Sequence, residues 1–332
     1  MKTHFYGKKV LVTGGTGLIG IPLVKKLVDS GALVRVVSLD SKSPFGKDTE
    51  FVKGDLCDKN FCAKVLKGIQ TVFHLAGIKG GVRVTQSKAS TFLVKNILMN
   101  TQIMEAARKS GVEQFLYVSS ICIYPPAKIF FEENAGKGLP HFSDKFGGIA
   151  KLVGEMQIEA YRLQYGLRNF LIVRPVNTYG PYDNFDPVSA LVIPALIYRI
   201  FDGENPLIIK GNADVVRDFV YSEDVADFLI LMASKNVPGP YNVGSGVPVS
   251  IKSLVNKIVF YAENFLGKKV NVKWAYAAKA GEKYRVASIK KAKVELGWLP
   301  KVSLDEGILR TMEWYQANKK RLPRRYNILS EE

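Results

Sequence analysis

The sequence predicts an α/β protein, a doubly wound parallel sheet joined to a smaller α+β substrate-binding lobe. Three observations predict it. The apolar run Val10-Leu11-Val12-Thr13 feeds into Gly14, Gly17 and Gly20, and an amphipathic segment opens at Ile21. A strand, a glycine turn and a helix in that order make the Rossmann dinucleotide-binding unit. Short apolar runs then alternate with longer amphipathic segments as far as Pro175, as parallel βαβ units require. From Val176 onward Pro, Gly and Tyr become more frequent and the alternation lapses, which marks a less regular second lobe.

Each element has a local cause. Val10–Val12 is a compact apolar run before the glycines and reads as the first strand. The helix from Ile21 to Ser30 is closed by Gly31, since glycine takes the left-handed cap at no steric cost. Leu33–Ser38 is a second strand, and Phe51–Gly54 leads to Asp55. Helices over Phe61–Lys67, Ser90–Ser110 and Gly148–Tyr165 end at Gly68, Gly111 and Gly166 by the same capping logic. Thr71–Leu75, Phe115–Ser119 and Phe170–Val173 are apolar strands, the last stopped at Pro175. Residues 1–176 therefore form the expected nucleotide-binding domain, with returns to it near 214–246. Residues 177–320 make a discontinuous substrate lobe, and 321–332 a charged, frayed tail.

Composition narrows the partners. The net charge is +17, but the basic residues are dispersed or in short pairs, and no nucleic-acid-binding signature accompanies them. A basic surface around a site for a highly anionic small molecule is the favoured reading, with no nucleic acid. No apolar stretch is long enough for a membrane span, and no apolar leader precedes the first strand. Cys57, Cys62 and Cys122 are odd in number and stand at no ligand spacing, and His4, His74 and His141 are scattered. These features suit a reducing cytoplasm and argue against disulfides or a metal site.

The glycine loop is a candidate cofactor site. Gly14 permits the tight turn, Gly17 lets backbone approach the phosphates, and Gly20 lets helix and sheet pack closely. Leu18 and Ile19 complete the loop, and the helix start offers free N–H groups to an anion. Asp40 lies about twenty residues past Gly20, where an acid accepts from the ribose of NAD and repels the extra phosphate of NADP. NAD is favoured, with Lys42 close by. Asp55 and Leu56 follow the third strand, where a carboxylate can accept from the adenine amino group. Leu75 and Ala76 end the fourth strand with small residues beside the cofactor, while His74 reads as a packed histidine.

Taken together, Thr13–Gly20, Gly54-Asp55-Leu56, His74–Gly77, Val118-Ser119-Ser120, Lys151, Arg174–Pro181, Arg217–Tyr221, Asn242–Gly246 and Leu296–Pro300 resemble the extended short-chain dehydrogenase/reductases of the NAD-dependent sugar epimerase/dehydratase group. The resemblance covers nearly the whole chain. Gly80-Gly81-Val82, Ser120–Pro125, Tyr179–Phe185 and Val192–Leu196 look like the branch acting on GDP-sugars. The implied substrate is a GDP-linked hexose or heptose in surface-polysaccharide assembly. The family also implies a homodimer or homotetramer through the helices of 90–110 and 148–165.

In that family a hydroxyl, a tyrosine and a lysine handle the proton. Ser120 matches the hydroxyl and Lys151 the lysine, which also holds the cofactor ribose, but the tyrosine position is Gly147. Three accounts stay open. Lys151, Cys122, Tyr124 or Tyr179 does the work; or water relays the proton; or the protein binds without chemistry. Ile121 and Cys122 stand where dehydratases carry acids, so elimination is not expected. Cys122 matches the cysteine of the epimerising Cys–His pair, but Leu191 stands at the histidine. The remaining chemistry is oxidation or reduction at sugar C4, with 4-epimerisation as the alternative. The resemblance assigns the diphosphate to Asn177 and Arg217, with Arg285 a weaker candidate, and Gly81, Val82 and Arg83 to the sugar.

Overall fold

Burial decides which runs become strands. Val10, Leu11 and Val12 are wholly buried, and their alternation sends them to opposite faces. Val10 and Val12 join Val34, Val36, Phe73, Leu116 and Val173 in one core. Leu11 joins Val37, Val72, Phe115, Tyr117 and Ile172 in the other. A sheet with two dry faces needs helices on both, the physical meaning of double winding. The computed structural model describes residues 4–275 and 282–322, apart from the side chains of Val82 and Arg83.

The central sheet has seven strands in the order Tyr241–Val243, Phe170–Pro175, Gln114–Val118, Thr71–His74, Lys9–Thr13, Leu33–Ser38 and Glu50–Lys53. All its pairings are parallel. The order reverses between Lys9–Thr13 and Thr71–His74, which opens a crevice at their carboxyl ends. The strand Tyr241–Val243 comes from late in the chain and pairs with Phe170–Pro175. A third core, holding Tyr179, Ile193, Ile197, Leu254, Ile258 and Met312, lies in the second half. Among the described residues no helix is long and apolar enough to cross a membrane.

Four elements differ from expectation. The helix expected over Phe61–Lys67 opens at Lys59, where the Asp58 side chain caps it, and ends at Val65. The single helix expected over 90–110 is a π-helical stretch Thr91–Lys95 continued by the α-helix Asn96–Ser110. Asn96 gives the reason. Its Nδ2 donates to the Phe92 carbonyl at 2.8 Å and its Oδ1 accepts from Ile78 N at 2.9 Å, so a side chain takes part in the backbone ladder where the turn widens. The helix expected from Gly148 opens at Lys145 and runs to Tyr165. The tail does not fray at once: Lys319–Arg321 forms a 3-10 turn and Leu322 packs against the third core. Residues 323–332 lie outside the described residues.

Candidate active site

A cavity of about 960 Å³ occupies the crevice. Gly14, Gly17, Leu18, Ile19 and Gly20 form one wall. Gly14 has φ +66°, and a Cβ there would lie 2.8 Å from Ala76 N, so a side chain is excluded twice. A Cβ on Gly20 would lie 2.6 Å from Gly15 Cα. The third glycine thus packs against the turn itself rather than the sheet, a correction to the expected role. A Cβ on Gly17 would meet only the Gly14 carbonyl, at 3.2 Å. The helix Gly20–Asp29 has neither a side-chain cap nor an acid in its first turn. Ile21 N is taken by the Gly17 carbonyl at 3.0 Å and Pro22 has no N–H, so it is the loop leading into the uncapped helix start that fits a pyrophosphate.

Asp40, Asp55, Leu56, Leu75 and Ala76 line the same cavity. The Asp40 amide donates to Ser38 Oγ at 3.1 Å, and Asp55 Oδ1 accepts from Cys57 N at 2.9 Å. His74 stays outside the chemistry. It is wholly buried between Thr13 Oγ1 at 2.7 Å and Asn100 Oδ1 at 2.9 Å, and burial lowers its pKa to about 3.

Ser120, Cys122, Gly147 and Lys151 stand together in the wall. Ser120 Oγ accepts from Cys122 N at 3.2 Å. Lys151 Nζ donates to the Val118 carbonyl at 2.8 Å and lies 5.0 Å from the Tyr117 ring centre. Burial brings its pKa down to about 8, against the opposing pull of Cys122 and Glu155. Burial and the Asp144 charge push the Cys122 thiol up. Neither expected substitute phenol reaches the cavity. Tyr124 donates to Asn242 Oδ1 at 2.7 Å, and Tyr179 to the Leu304 carbonyl at 3.3 Å.

The depressed Lys151 couples to stability. The folded lysine loses its proton near pH 8, whereas the unfolded one holds it to 10.5. The unfolded chain therefore binds more protons in that window, and stability rises with pH across it. Between pH 8 and 9.5 the wild type should gain about 2 kcal/mol relative to Lys151→Met, measured by urea unfolding. Parallel pH curves for the two proteins would refute the buried-lysine account.

The substrate candidates divide. Asn177 and Arg285 line the cavity. Asn177 Nδ2 is spent on the Asp218 carbonyl, at 2.8 Å. Arg217 does not line it, because its Nη1 donates to the Val216 and Glu282 carbonyls, both at 2.8 Å. Arg285, the weaker expectation, holds the wall and pairs with Asp144 and Glu282. Gly81 is replaced in the wall by Gly80, since Gly81 caps the short helix Val82–Ser87 and faces the Ala190 carbonyl. The side chains of Val82 and Arg83 lie outside the described residues. Sequence reasoning missed Asp144, Lys79, Asp183, Tyr198 and Trp314, all in the wall. Asp144 escaped because the helix was expected to open at Gly148, whereas it opens at Lys145 and brings Asp144 one turn before Gly147-Gly148.

A profile of the NAD dependent epimerase/dehydratase family matches residues 10–244. The chain belongs to that family. A GDP-L-fucose synthase of Sinorhizobium fredii is 30% identical over 319 residues, which cover 94% of this chain and 96% of the relative. A putative UDP-glucose 4-epimerase of Methanocaldococcus jannaschii is 32% identical over 321 residues, 94% of this chain and 99% of the relative. Among solved structures, the UDP-glucose 4-epimerase of Thermus thermophilus in complex with NAD superimposes with a TM-score of 0.81 at 28% identity, over 93% of this chain and 99% of that one. This member of the NAD dependent epimerase/dehydratase family thus has a doubly wound sheet and a glycine cradle, with Asp40 in the wall of the same cavity.

Proposed function

We propose that the protein carries out NAD-dependent oxidation, or the reverse reduction, at C4 of a nucleoside-diphosphate sugar. The substrate is a GDP-linked hexose or heptose, and the product feeds surface-polysaccharide assembly. The observation that carries this reading is the continuous cavity joining the glycine cradle to Ser120, Lys151 and Arg285. The GDP linkage rests on the GDP-L-fucose synthase relative and on the motifs shared with that branch.

The nicotinamide supplies hydride chemistry when bound. Ser120 orients the sugar hydroxyl, Lys151 holds the cofactor ribose, and Asn177 faces the diphosphate. Ile121 and Cys122 offer no carboxyl for elimination, and Leu191 lines the cavity where an acid–base histidine would be needed, so a double epimerisation has half its machinery. The two 4-epimerase relatives favour a second reading, in which the C4 ketone is reduced again from the other face. Assembly is as a homodimer or homotetramer through the Asn96–Ser110 and Lys145–Tyr165 helices, where Leu98, Met156 and Leu163 are exposed.

The test is to release nucleotide by denaturation and assay it for NAD, then to offer NAD with GDP-hexoses and GDP-heptoses. Growth of the reduced-nicotinamide absorbance with a 4-keto product supports the dehydrogenase. Formation of the C4 epimer without that growth supports the epimerase. No change with any nucleotide sugar leaves only a binding protein.

A further inference from the structure

Resting on the oxidoreductase reading above, we propose that Asp144 is the general base of this site in place of the missing phenol, with Ser143 and His141 as its proton path to solvent. Asp144, Gly147, Gly148 and Lys151 follow at helical spacing on one face of the Lys145–Tyr165 helix, and all four line the cavity. Asp144 occupies the N-cap position, yet its side chain makes no cap hydrogen bond. The helix thus forgoes the stabilisation that an N-cap aspartate ordinarily contributes. The carboxylate turns instead to Arg285, to the Ser143 hydroxyl at 2.9 Å, and to Cys122 Sγ at 3.8 Å.

Charged neighbours reach Asp144 from several elements. Arg217 and Arg285 come from two strands of the second half, Glu282 stands beside Arg285, and Cys122 rises from the turn after Gln114–Val118. Burial alone would raise the carboxyl, but Arg285, Ser143 and Arg217 outweigh it and hold it below the usual range. It is therefore ionised and ready to accept. Such a carboxylate is a weak base, and it suffices here. As the C4–H bond breaks and its electron pair passes to NAD⁺, the O4–H becomes that of a protonated ketone, which is strongly acidic. The O4–H bond then breaks toward Asp144 and C4=O remains.

The exit is built. Ser143 is buried, and its Oγ lies 2.8 Å from Nδ1 of the half-exposed His141. Once the hydroxyl turns to Nδ1, Oγ takes the carboxyl proton as it gives its own to the imidazole at Nδ1. The imidazolium releases its Nε2 proton to water, and water-mediated exchange of the neutral ring back to the Nε2–H tautomer restores the Nδ1 acceptor for the next turnover.

The experiment compares wild type, Asp144→Asn and Asp144→Asn/Gly147→Tyr. The single variant should lose about 10²-fold in kcat with unchanged NAD affinity, the ordinary contribution of a positioned base, and the added tyrosine should restore at least part of that loss. Cys122 in the cofactor-free protein gives an independent readout. Removing the neighbouring charge should lower the thiol's pKa and speed its alkylation by iodoacetamide several-fold, followed on the Cys122 peptide by mass spectrometry. Should Asp144→Asn not fold, Ser143→Ala keeps the Arg285 pair and should lower kcat with KM unchanged. An unaltered kcat, or an unaltered alkylation rate, overturns the assignment. A wild type inert toward every GDP-sugar overturns the proposed activity, and the alkylation then still decides whether the carboxylate is ionised and faces the cavity.

Discussion

Gly147→Tyr should raise the rate of hydride transfer by about 10²-fold, the low end of what a well-matched general base contributes. The space exists. A Cβ on Gly147 meets only Phe92 Cδ1, at 3.9 Å, and the position faces the cavity. Lys151 follows one turn later on the same face, about 5 to 6 Å along the helix. A phenol there would meet an ammonium whose own proton is held loosely, near pH 8. That partner favours tyrosinate and brings its pKa toward neutrality, whereas Asp144 is a carboxylate held below its usual range. The phenol is therefore the stronger base of the two. Stability should not suffer, because glycine is the poorer helix former by a few tenths of a kcal/mol. The diagnostic measurement is kcat and KM taken separately. A rise in kcat at constant KM supports an empty catalytic slot. A rise in KM with no gain in kcat would show instead that the substrate itself fills the space beside Gly147.

How much of this was legible follows from what each residue depends on. The glycine loop and the alternation of strands with helices were readable because burial on two faces imposes apolar runs, and a left-handed turn imposes Gly14. Ser120 and Lys151 were assigned through the family resemblance, Ser120 by the Val118-Ser119-Ser120 motif that ends a strand and Lys151 by its match to the family lysine. The choice between Arg217 and Arg285 was not. Both are arginines on short strands that pair with each other, and only the three-dimensional path of residues 282–285 sends one guanidinium to main-chain carbonyls and the other into the cavity wall. Asp144 was hidden because the helix was expected to open at Gly148, which leaves it in a loop, and only the arrival of Arg285 from 141 residues away turns the carboxylate toward the cavity. The π-helical Thr91–Lys95 was likewise hidden, since it depends on Asn96 meeting Ile78 from another element.

Glu155→Gln should destabilise the fold by about 3–5 kcal/mol, the cost of stranding a buried charge. Glu155 accepts from Arg174 Nε at 3.0 Å and Nη2 at 2.6 Å, and the two side chains are only 7% and 5% exposed. Arg174 Nη1 also donates to Tyr124 Oη at 2.7 Å and the Glu132 carbonyl at 2.8 Å. One guanidinium thus ties the Phe170–Pro175 strand to the helix that carries Asp144, Gly147 and Lys151. The glutamine variant keeps the shape and removes the anion, leaving Arg174 with dipoles alone. Replacing both partners by methionine should recover most of the loss, because desolvation of two ions then disappears along with their attraction. Urea unfolding measures both. A loss below about 1 kcal/mol, the range of exposed pairs, would mean that water reaches this pair and that the helix is held by its apolar face instead. Below the unfolding transition, Glu155→Gln should leave NAD affinity nearly intact, since no Glu155 atom lines the cavity. That separates it from Asp144→Asn, which is expected to turn over slowly in a protein that remains folded.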